Sequence, residues 1–297
     1  MNNDEKRLLS TNLLFMILGL ILLTLGAVFQ RRNLIIGLLQ TELFIVLLPA
    51  IIYILVKKIS FRDLFFNPLK IKDTLWVILA TFLFYPIALF LNTSFNFIMG
   101  LILGFSLPST PLPQNLNEFL IYIPVISLSA GICEEILFRG LIMHEYKKMG
   151  AEKSILLSGI LFGLFHFNLH NLVGPIVLGI FFGYMVYKTK SILAGIIGHA
   201  LNNFISLFLG FLASFLPSEE MVQGMQIEPI HMVFPLIFWG MYAFVSMQFF
   251  RRVIFKIGDG NEALAKPEIE LGALKKIIWL PLVLSLIFYI YLTLRFY

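Results

Sequence analysis

Charged residues are scarce in this sequence. They make up 13% of the 297 residues, whereas 59% of the residues are hydrophobic. A soluble domain carries roughly 25% charged residues, so long stretches of this chain have no polar face. This deficit excludes a water-soluble globular protein and predicts an integral membrane protein, because a spanning helix needs about 20 mostly apolar residues.

The sequence also lacks a cysteine pair, an internal repeat and a low-complexity segment. Its single cysteine, Cys133, permits no internal disulfide and is expected to behave as a small apolar residue. The absence of a repeat argues against a transporter built from paired halves. We therefore expect a single membrane domain over 1–297, with 256–276 as its one sizeable hydrophilic loop.

What the sequence does contain is a series of apolar runs, which predicts an all-α, polytopic transmembrane helical bundle of about 8–9 spans. The first run exceeds a signal-peptide core and is expected to be retained. Pro86 predicts a kink or an irregular end in the third span. The short fifth and sixth spans are expected to form a hairpin whose connection is shielded within the bundle. The nine predicted spans are 11–29, 34–56, 74–104, 118–145, 153–168, 173–188, 191–216, 231–250 and 276–296.

The net charge of +5 comes from basic residues that flank the apolar runs. Of the 22 Lys and Arg residues, 18 fall in segments on one side of the predicted membrane, and Arg31, Arg32 and Arg295 fall on the other. Cytoplasmic loops are enriched in Lys and Arg. We therefore predict a multi-pass cell-membrane protein with a cytoplasmic N-terminus and a cytoplasmic 256–276 loop. The lipid bilayer is its predicted partner, and nucleic acid is not.

Ionisable side chains inside a bilayer are costly, so they indicate functional sites. The fourth span carries Glu134, Glu135 and Arg139. Glu135 and Arg139 are four residues apart and are expected to pair on one helix face. Glu134 lies about 100° around the helix and must face something else. An alternative is that all three form one packing network. Glu42, in the second span, is the main ionisable residue outside this region.

Two further spans carry polar groups with helical spacing. Phe162 and His166 share one face of the fifth span, and His199 and Asn203 share one face of the seventh. At 1.5 Å per residue, these groups and Glu134 lie about 12–20 Å from the cytoplasmic ends of their spans. They can therefore meet near the middle of the bilayer. His144, by contrast, is expected to be a solvated cation at a cytoplasmic helix end.

This set of side chains suits the hydrolysis of a peptide bond. A carboxylate and a neutral imidazole can remove a proton from an attacking water. A second imidazole and an amide can donate hydrogen bonds to the developing oxyanion. The residues leave a second possibility open, since a carboxylate and two histidines can also hold a catalytic zinc ion. Glu134, His166 and His199 are the possible metal ligands in that case. No other cofactor is predicted.

The motifs resemble those of the CAAX protease and bacteriocin-processing (CPBP) superfamily of intramembrane proteases, which includes the type II CAAX prenyl endopeptidases. That family is marked by EExxxR, FxxxH and HxxxN motifs on successive membrane helices. Here they correspond to Glu134-Glu135-xxx-Arg139, Phe162-xxx-His166 and His199-xxx-Asn203. The resemblance covers about 118–209, the predicted catalytic core.

The resemblance implies that Glu134 and His166 activate a water molecule and that His199 and Asn203 stabilise the oxyanion. It also implies that Glu135 and Arg139 support the helix or help to orient substrate, with Phe162 beside them. The family has been described both as metalloproteases and as metal-independent glutamate proteases. The implied substrate is a membrane-associated or lipidated peptide or protein.

Two other functions remain alternatives to an intramembrane endopeptidase. One is a non-catalytic membrane immunity or binding protein of the same fold. The other is a transporter that uses the buried carboxylate as a proton relay. The Lys-, Asn-, Ile- and Phe-rich composition is typical of a bacterial source with an AT-rich genome. No residue pattern identifies a prenyl pocket or an oligomeric state.

Overall fold

A computed structural model of the chain describes residues 1–104, 113–215, 229–258, 265–270 and 274–296. Within these ranges every regular element is a helix. We number nine main helices in chain order, joined by short 3₁₀ turns such as Leu169–Asn171. They are α1 (Asn3–Arg32), α2 (Leu34–Val56), α3 (Ile71–Leu103), α4 (Leu116–Glu145), α5 (Ala151–Phe165), α6 (Val173–Thr189), α7 (Ile192–Ala213), α8 (Pro229–Ile254) and α9 (Leu280–Phe296).

Eight helices in the described part of the chain are long and apolar enough to cross a membrane. The prediction of an all-α polytopic bundle is therefore confirmed. The one remaining main helix, α5, has only 15 residues, or about 22 Å at 1.5 Å per residue. It is shorter than a bilayer core of about 30 Å, so the fifth predicted span exists as a helix but is not a full-length span by itself.

The start of α1 differs most from the prediction. The helix begins at Asn3 rather than at residue 11, because Asn2 and Glu5 form a capping box. Its charged first turns also have partners at the end of α4. Arg7 Nη2 lies 2.6 Å from Glu145 Oε1, and Lys148 Nζ lies 2.9 Å from Asp4 Oδ1. Capping and ion pairing thus extend the helix beyond its apolar run.

The expectation for His144 is also corrected by the structure. His144 is not a solvated cation but a buried side chain, 4% exposed, whose Nδ1 lies 2.9 Å from the Asp63 carbonyl oxygen. The α3 helix continues through Pro86 and ends at Leu103, before Gly104 at φ 91°. Cys133, as expected, packs as an apolar residue in the main core.

The loops that were predicted to be cytoplasmic gather at one end of the bundle, which we call the lysine-rich end. Ala151 N donates to Ala265 O at 3.0 Å, and Ile192 N donates to Phe65 O at 2.7 Å. Gly258 N donates to the Asp73 carboxylate at 2.9 Å. Every described helix starts or finishes at this end, as expected for consecutive helices that cross a membrane in alternating directions. The described parts of 256–276 also lie here; residues 259–264 and 271–273 are outside the description. Which side of a membrane this end faces stays a prediction.

The hairpin of α5 and α6 is held together by small residues. A Cβ added to Gly159 would lie 2.7 Å from Ile180 N, and one added to Gly179 would lie 2.8 Å from the Gly159 Cα. A side chain at either position would force the helices apart. The connection between them is bound from inside the bundle, since Asn92 and Asn96 of α3 both donate to the His170 carbonyl oxygen. The hairpin predicted from the sequence is therefore present, but its connection is only partly shielded, since Asn168 and Asn171 are exposed.

Candidate active site

Glu135 and Arg139 form a buried ion pair on α4. Arg139 Nη1 lies 2.8 Å from Glu135 Oε1, and both side chains are 0% exposed. The predicted pairing of these two residues is therefore confirmed. Such a pair offsets part of the desolvation cost that each charge would carry alone. It also fixes one carboxylate of the motif, so that Glu134 is the one left for other contacts.

The guanidinium group of Arg139 is enclosed by aromatic rings. Its Cζ lies 4.4 Å from the centroid of the Phe162 ring, and the rings of Phe138 and Phe182 are within 5.9 Å. Arg139 Nη2 also donates to the Gly179 carbonyl oxygen at 3.0 Å. Cation–π contacts and this hydrogen bond hold the cation where no water is available. Arg139 thereby joins α4 to α5 and α6.

Glu135 also binds His199, a contact that the sequence did not predict. Its Oε1 lies 3.0 Å from His199 Nδ1. A carboxylate at this nitrogen fixes the ring so that Nδ1 donates to it and Nε2 faces Glu134. The His199 ring is also fixed by packing, stacked on Phe182 and edge-on to Phe162, each with centroids 5.3 Å apart.

Gly195 makes room for the Glu135 carboxylate. It lies one turn before His199 on α7, and an added Cβ would collide with Glu135 Oε2. The absence of a side chain lets α7 approach the carboxylate closely enough for His199 to reach it. Gly195 is therefore part of the site's construction, although nothing in its sequence context distinguished it from other glycines.

His166 ends α5 and points into the same region. Its Nδ1 lies 2.9 Å from the Phe162 carbonyl oxygen, one turn earlier. This hydrogen bond places the proton on Nδ1 and leaves Nε2 available, as for His199. Phe162 lies between the two histidines, and its ring centroid is 5.0 Å from that of His166. The predicted supporting residue Phe162 thus contacts both imidazoles and Arg139.

Glu134 faces away from the ion pair, as its position on α4 predicted. Its Oε2 lies 4.0 Å from His199 Nε2, and its side chain is 13% exposed. That separation exceeds a direct hydrogen bond and suits a single bridging water. Oε2 has no hydrogen-bond partner among the described residues. An unpaired carboxylate oxygen this far inside a helical bundle is costly and is therefore a candidate reactive group.

Glu42 is the second carboxyl group at this position. The Glu42 side chain lies beside that of Glu134, and Glu42 Oε2 is buried with no hydrogen-bond partner among the described residues. Glu42 lies in the π-helical stretch Thr41–Leu47 of α2, a distortion that is frequent at functional sites. The sequence marked Glu42 only as an exception, although its place within a span was a usable signal.

Asn203 completes the group one turn beyond His199. Its Nδ2 donates to the Ile126 carbonyl oxygen at 3.1 Å, and its Oδ1 accepts from Asn202 Nδ2 at 3.3 Å. One amide hydrogen is therefore used to hold α7 against α4, and the second remains available. Asn202, which the motif does not include, is a further polar residue of this wall.

One cavity of about 340 Å³ brings the predicted residues together. Glu134, His166, His199 and Asn203 all line it, and so does Phe162. Glu135 and Arg139 lie behind its wall, where Glu135 contacts the rear nitrogen of His199. The motif residues thus separate into a layer that faces the cavity and a layer that supports it. Their chemical roles stay predictions.

The side chains do not fit a three-ligand zinc site in their present arrangement. Among the described residues, no three His, Cys, Asp or Glu side chains are grouped closely enough to hold a metal ion. The candidate ligands Glu134 and His199 are 4.0 Å apart at their nearest ion-pairing atoms. The groups available for hydrolysis in this arrangement are therefore the side chains themselves.

Comparison with known proteins gives one match. Residues 116–205 match the family model described as Type II CAAX prenyl endopeptidase Rce1-like. The matched segment is less than a third of the chain and contains all three motifs. The resemblance to the CPBP and CAAX protease family is therefore confirmed over this segment. No curated protein and no solved structure gives a significant match.

Proposed function

We propose that this chain, whose residues 116–205 carry the core of a type II CAAX prenyl endopeptidase-like protein, is an intramembrane endopeptidase that hydrolyses a peptide bond with a side-chain-activated water. The observation that supports this best is the shared cavity. A carboxylate, two imidazoles whose Nδ1 atoms are held by neighbouring oxygens and an amide line one cavity within the bundle.

Glu134 and His166 are the proposed activators of the water. Glu134 accepts a proton as the water oxygen attacks the carbonyl carbon of the substrate, and it later gives that proton to the leaving amine. The C–N bond breaks, a C–O bond forms, and the products are a carboxylic acid and an amine. Glu42, whose side chain lies beside Glu134, is the proposed neighbour that positions this carboxylate.

His199 and Asn203 are the proposed oxyanion donors. Nε2 of His199 is the proposed donor to the substrate oxygen, and the Glu135 carboxylate orients the ring for that role through Nδ1. Asn203 contributes the amide hydrogen that Ile126 does not use. Donors fixed before the reaction stabilise the developing charge without reorganisation. The ion pair of Glu135 with Arg139 keeps this side of the site rigid.

Glu134→Gln is the variant that tests the proposal. It nearly preserves shape but removes the base, so cleavage should drop by at least about 10²-fold, the lower end for general-base catalysis. The assay compares peptides released in cells that express the wild type or the variant, by mass spectrometry. Glu152→Gln, at an exposed position in the first turn of α5, is the matched control.

Unchanged release by Glu134→Gln, with the Glu152→Gln control also unchanged, would exclude the proposed mechanism. A phenotype that persists in the variant without any released peptide would instead favour a binding or immunity role.

A further inference from the structure

The cavity of the proposed protease occupies only one half of the bundle. Each of the five helices that line it contributes one short segment. On four of the helices, that segment begins near the middle and extends away from the lysine-rich end; on the short α5 it is the end farthest from the lysine-rich loops. The segments are 85–92 of α3, 126–134 of α4, 162–166 of α5, 174–182 of α6 and 199–206 of α7.

A separate cavity at the lysine-rich end is lined by His144 and Glu145 of α4, but the other halves of the same helices contribute no residue to the Glu134 cavity among those described. They are filled by packed side chains, and the block directly below the catalytic layer has no measurable exposure. Glu135, Arg139 and Phe138 of α4 are each 0% exposed, as are Met185 and Val186 of α6. Water and a peptide chain therefore have no described route to Glu134 from the lysine-rich end.

The cavity continues toward the opposite end because the α5–α6 hairpin is short. Gly174 lies 15 residues from the end of α6 at Thr189, or about 22 Å by helical rise. Asn92 of α3 lies at the level of this connection, since its Oδ1 accepts from Gly174 N at 2.9 Å, and α3 continues 11 residues beyond Asn92, or about 16 Å, to Leu103. The hairpin connection therefore lies below the far ends of its longer neighbours. Asn171, in that connection, lines the upper part of the cavity.

Polar groups line this upper part, in contrast to the sealed lower part. Tyr85 and Ser206 share a hydrogen bond of 3.1 Å across the cavity wall. Asn171 and Asn202 add amide groups. Amide and hydroxyl side chains can satisfy the backbone N–H and C=O groups of an extended peptide, which cannot be left unpaired in an apolar medium. The upper cavity thus suits a peptide segment as well as water.

We propose that substrate and water reach the site from the end opposite the lysine-rich loops, and that the substrate is a membrane-inserted or extracytoplasmic peptide cut in the outer half of the bilayer. The sidedness follows from the enrichment of Lys and Arg in cytoplasmic loops. The proposal rests on the protease function proposed above, and it excludes cytosolic C-terminal tails as the substrate class.

Cysteine labelling tests the direction of access without requiring any cleavage. Cys133 is the only cysteine, so a Cys133→Ala background removes the native thiol. Asn171→Cys places a thiol at the upper cavity, and Ser206→Cys is a second position there should the first variant fail to fold. Lys147→Cys, exposed at the lysine-rich end, is the control. The probe is a charged, membrane-impermeant maleimide applied to right-side-out and inside-out membrane vesicles.

We expect the cavity thiols to be labelled in right-side-out vesicles and to lose labelling in inside-out vesicles, with the opposite pattern for Lys147→Cys. Labelling of the cavity thiols from the Lys147 side would overturn the proposal. Labelling only by a membrane-permeant maleimide, from neither aqueous side, would overturn it too, since the entrance would then face lipid.

The substrate class has its own readout. The measurement maps the cut sites in those peptides whose release is lost in Glu134→Gln. Each cut site is then located relative to the positively charged flank of its substrate, which marks the cytoplasmic side. Cuts in cytosolic tails would refute the substrate class while the protease function stood. A complete lack of Glu134-dependent cuts would refute the protease function, whatever the labelling result.

Discussion

The Glu135 carboxylate has two partners, and its replacement gives two separable effects. Glu135 Oε1 lies 2.8 Å from Arg139 Nη1 and 3.0 Å from His199 Nδ1, and both ion-paired side chains are 0% exposed. In Glu135→Gln, the Arg139 cation is left buried without a counter-charge. Breaking a fully buried pair costs about 3–5 kcal/mol. We therefore expect a large loss of stability against thermal or denaturant-induced unfolding in detergent.

The double variant Glu135→Gln/Arg139→Met separates the stability effect from the effect on activity. Removal of both charges, with an apolar side chain of similar length between the phenylalanine rings, should recover most of the lost stability, because replacing a buried pair with packed apolar groups is often neutral. His199 still lacks its carboxylate. Loss of such an orienting partner typically costs about 10–100-fold in activity, and we expect cleavage to stay lower by that factor.

Both measurements can refute this reasoning. If Glu135→Gln unfolds at the wild-type temperature, the buried pair does not carry the energy assigned to it. If the double variant is stable and fully active, then Glu135 matters only as the partner of Arg139, and the contact with His199 has no catalytic role. Lys148→Gln, which breaks the exposed pair with Asp4, is the control and should cost no more than about 1 kcal/mol.

Three further predictions follow from individual contacts. Gly195→Val should displace the Glu135 carboxylate and reduce cleavage. The control Gly140→Ala should be tolerated, because its Cβ would meet its nearest neighbour at 3.4 Å. Equal activities of the two variants would show that the close approach at Gly195 is not needed. Glu42→Leu should lower cleavage by about 10-fold or more, as for other orienting partners. Glu42→Gln should stay nearer to the wild-type activity, because its amide can donate to Glu134. If Glu42→Gln were instead less active than Glu42→Leu, this positioning role would be ruled out. Dialysis of the purified protein against a strong chelator should leave cleavage intact, and a loss that zinc restores would establish the metal-dependent alternative.

Much of the architecture could be predicted from the sequence because it depends on local patterns. Apolar runs of sufficient length predict spanning helices in any context. The four-residue spacing of Glu135 and Arg139 was enough to predict their ion pair. The same spacing placed Glu134 on another face, where it does line the cavity with His166, His199 and Asn203. The predicted start of α1 was wrong, because the ion pairs of its first turns with Glu145 and Lys148 connect distant parts of the chain.

Only the tertiary structure decided which groups touch across helices. The approach of Glu42 to Glu134 and the contact of Glu135 with His199 join residues far apart in sequence. These contacts depend on where glycines let helix backbones approach each other and on π-helical turns that rotate a helix face. Helical periodicity in the sequence predicts neither feature. The direction in which the cavity extends depends in turn on a difference in length between a short hairpin and its neighbours. The sequence determined the helices and the side chains that they carry, and close packing between those helices determined the pocket.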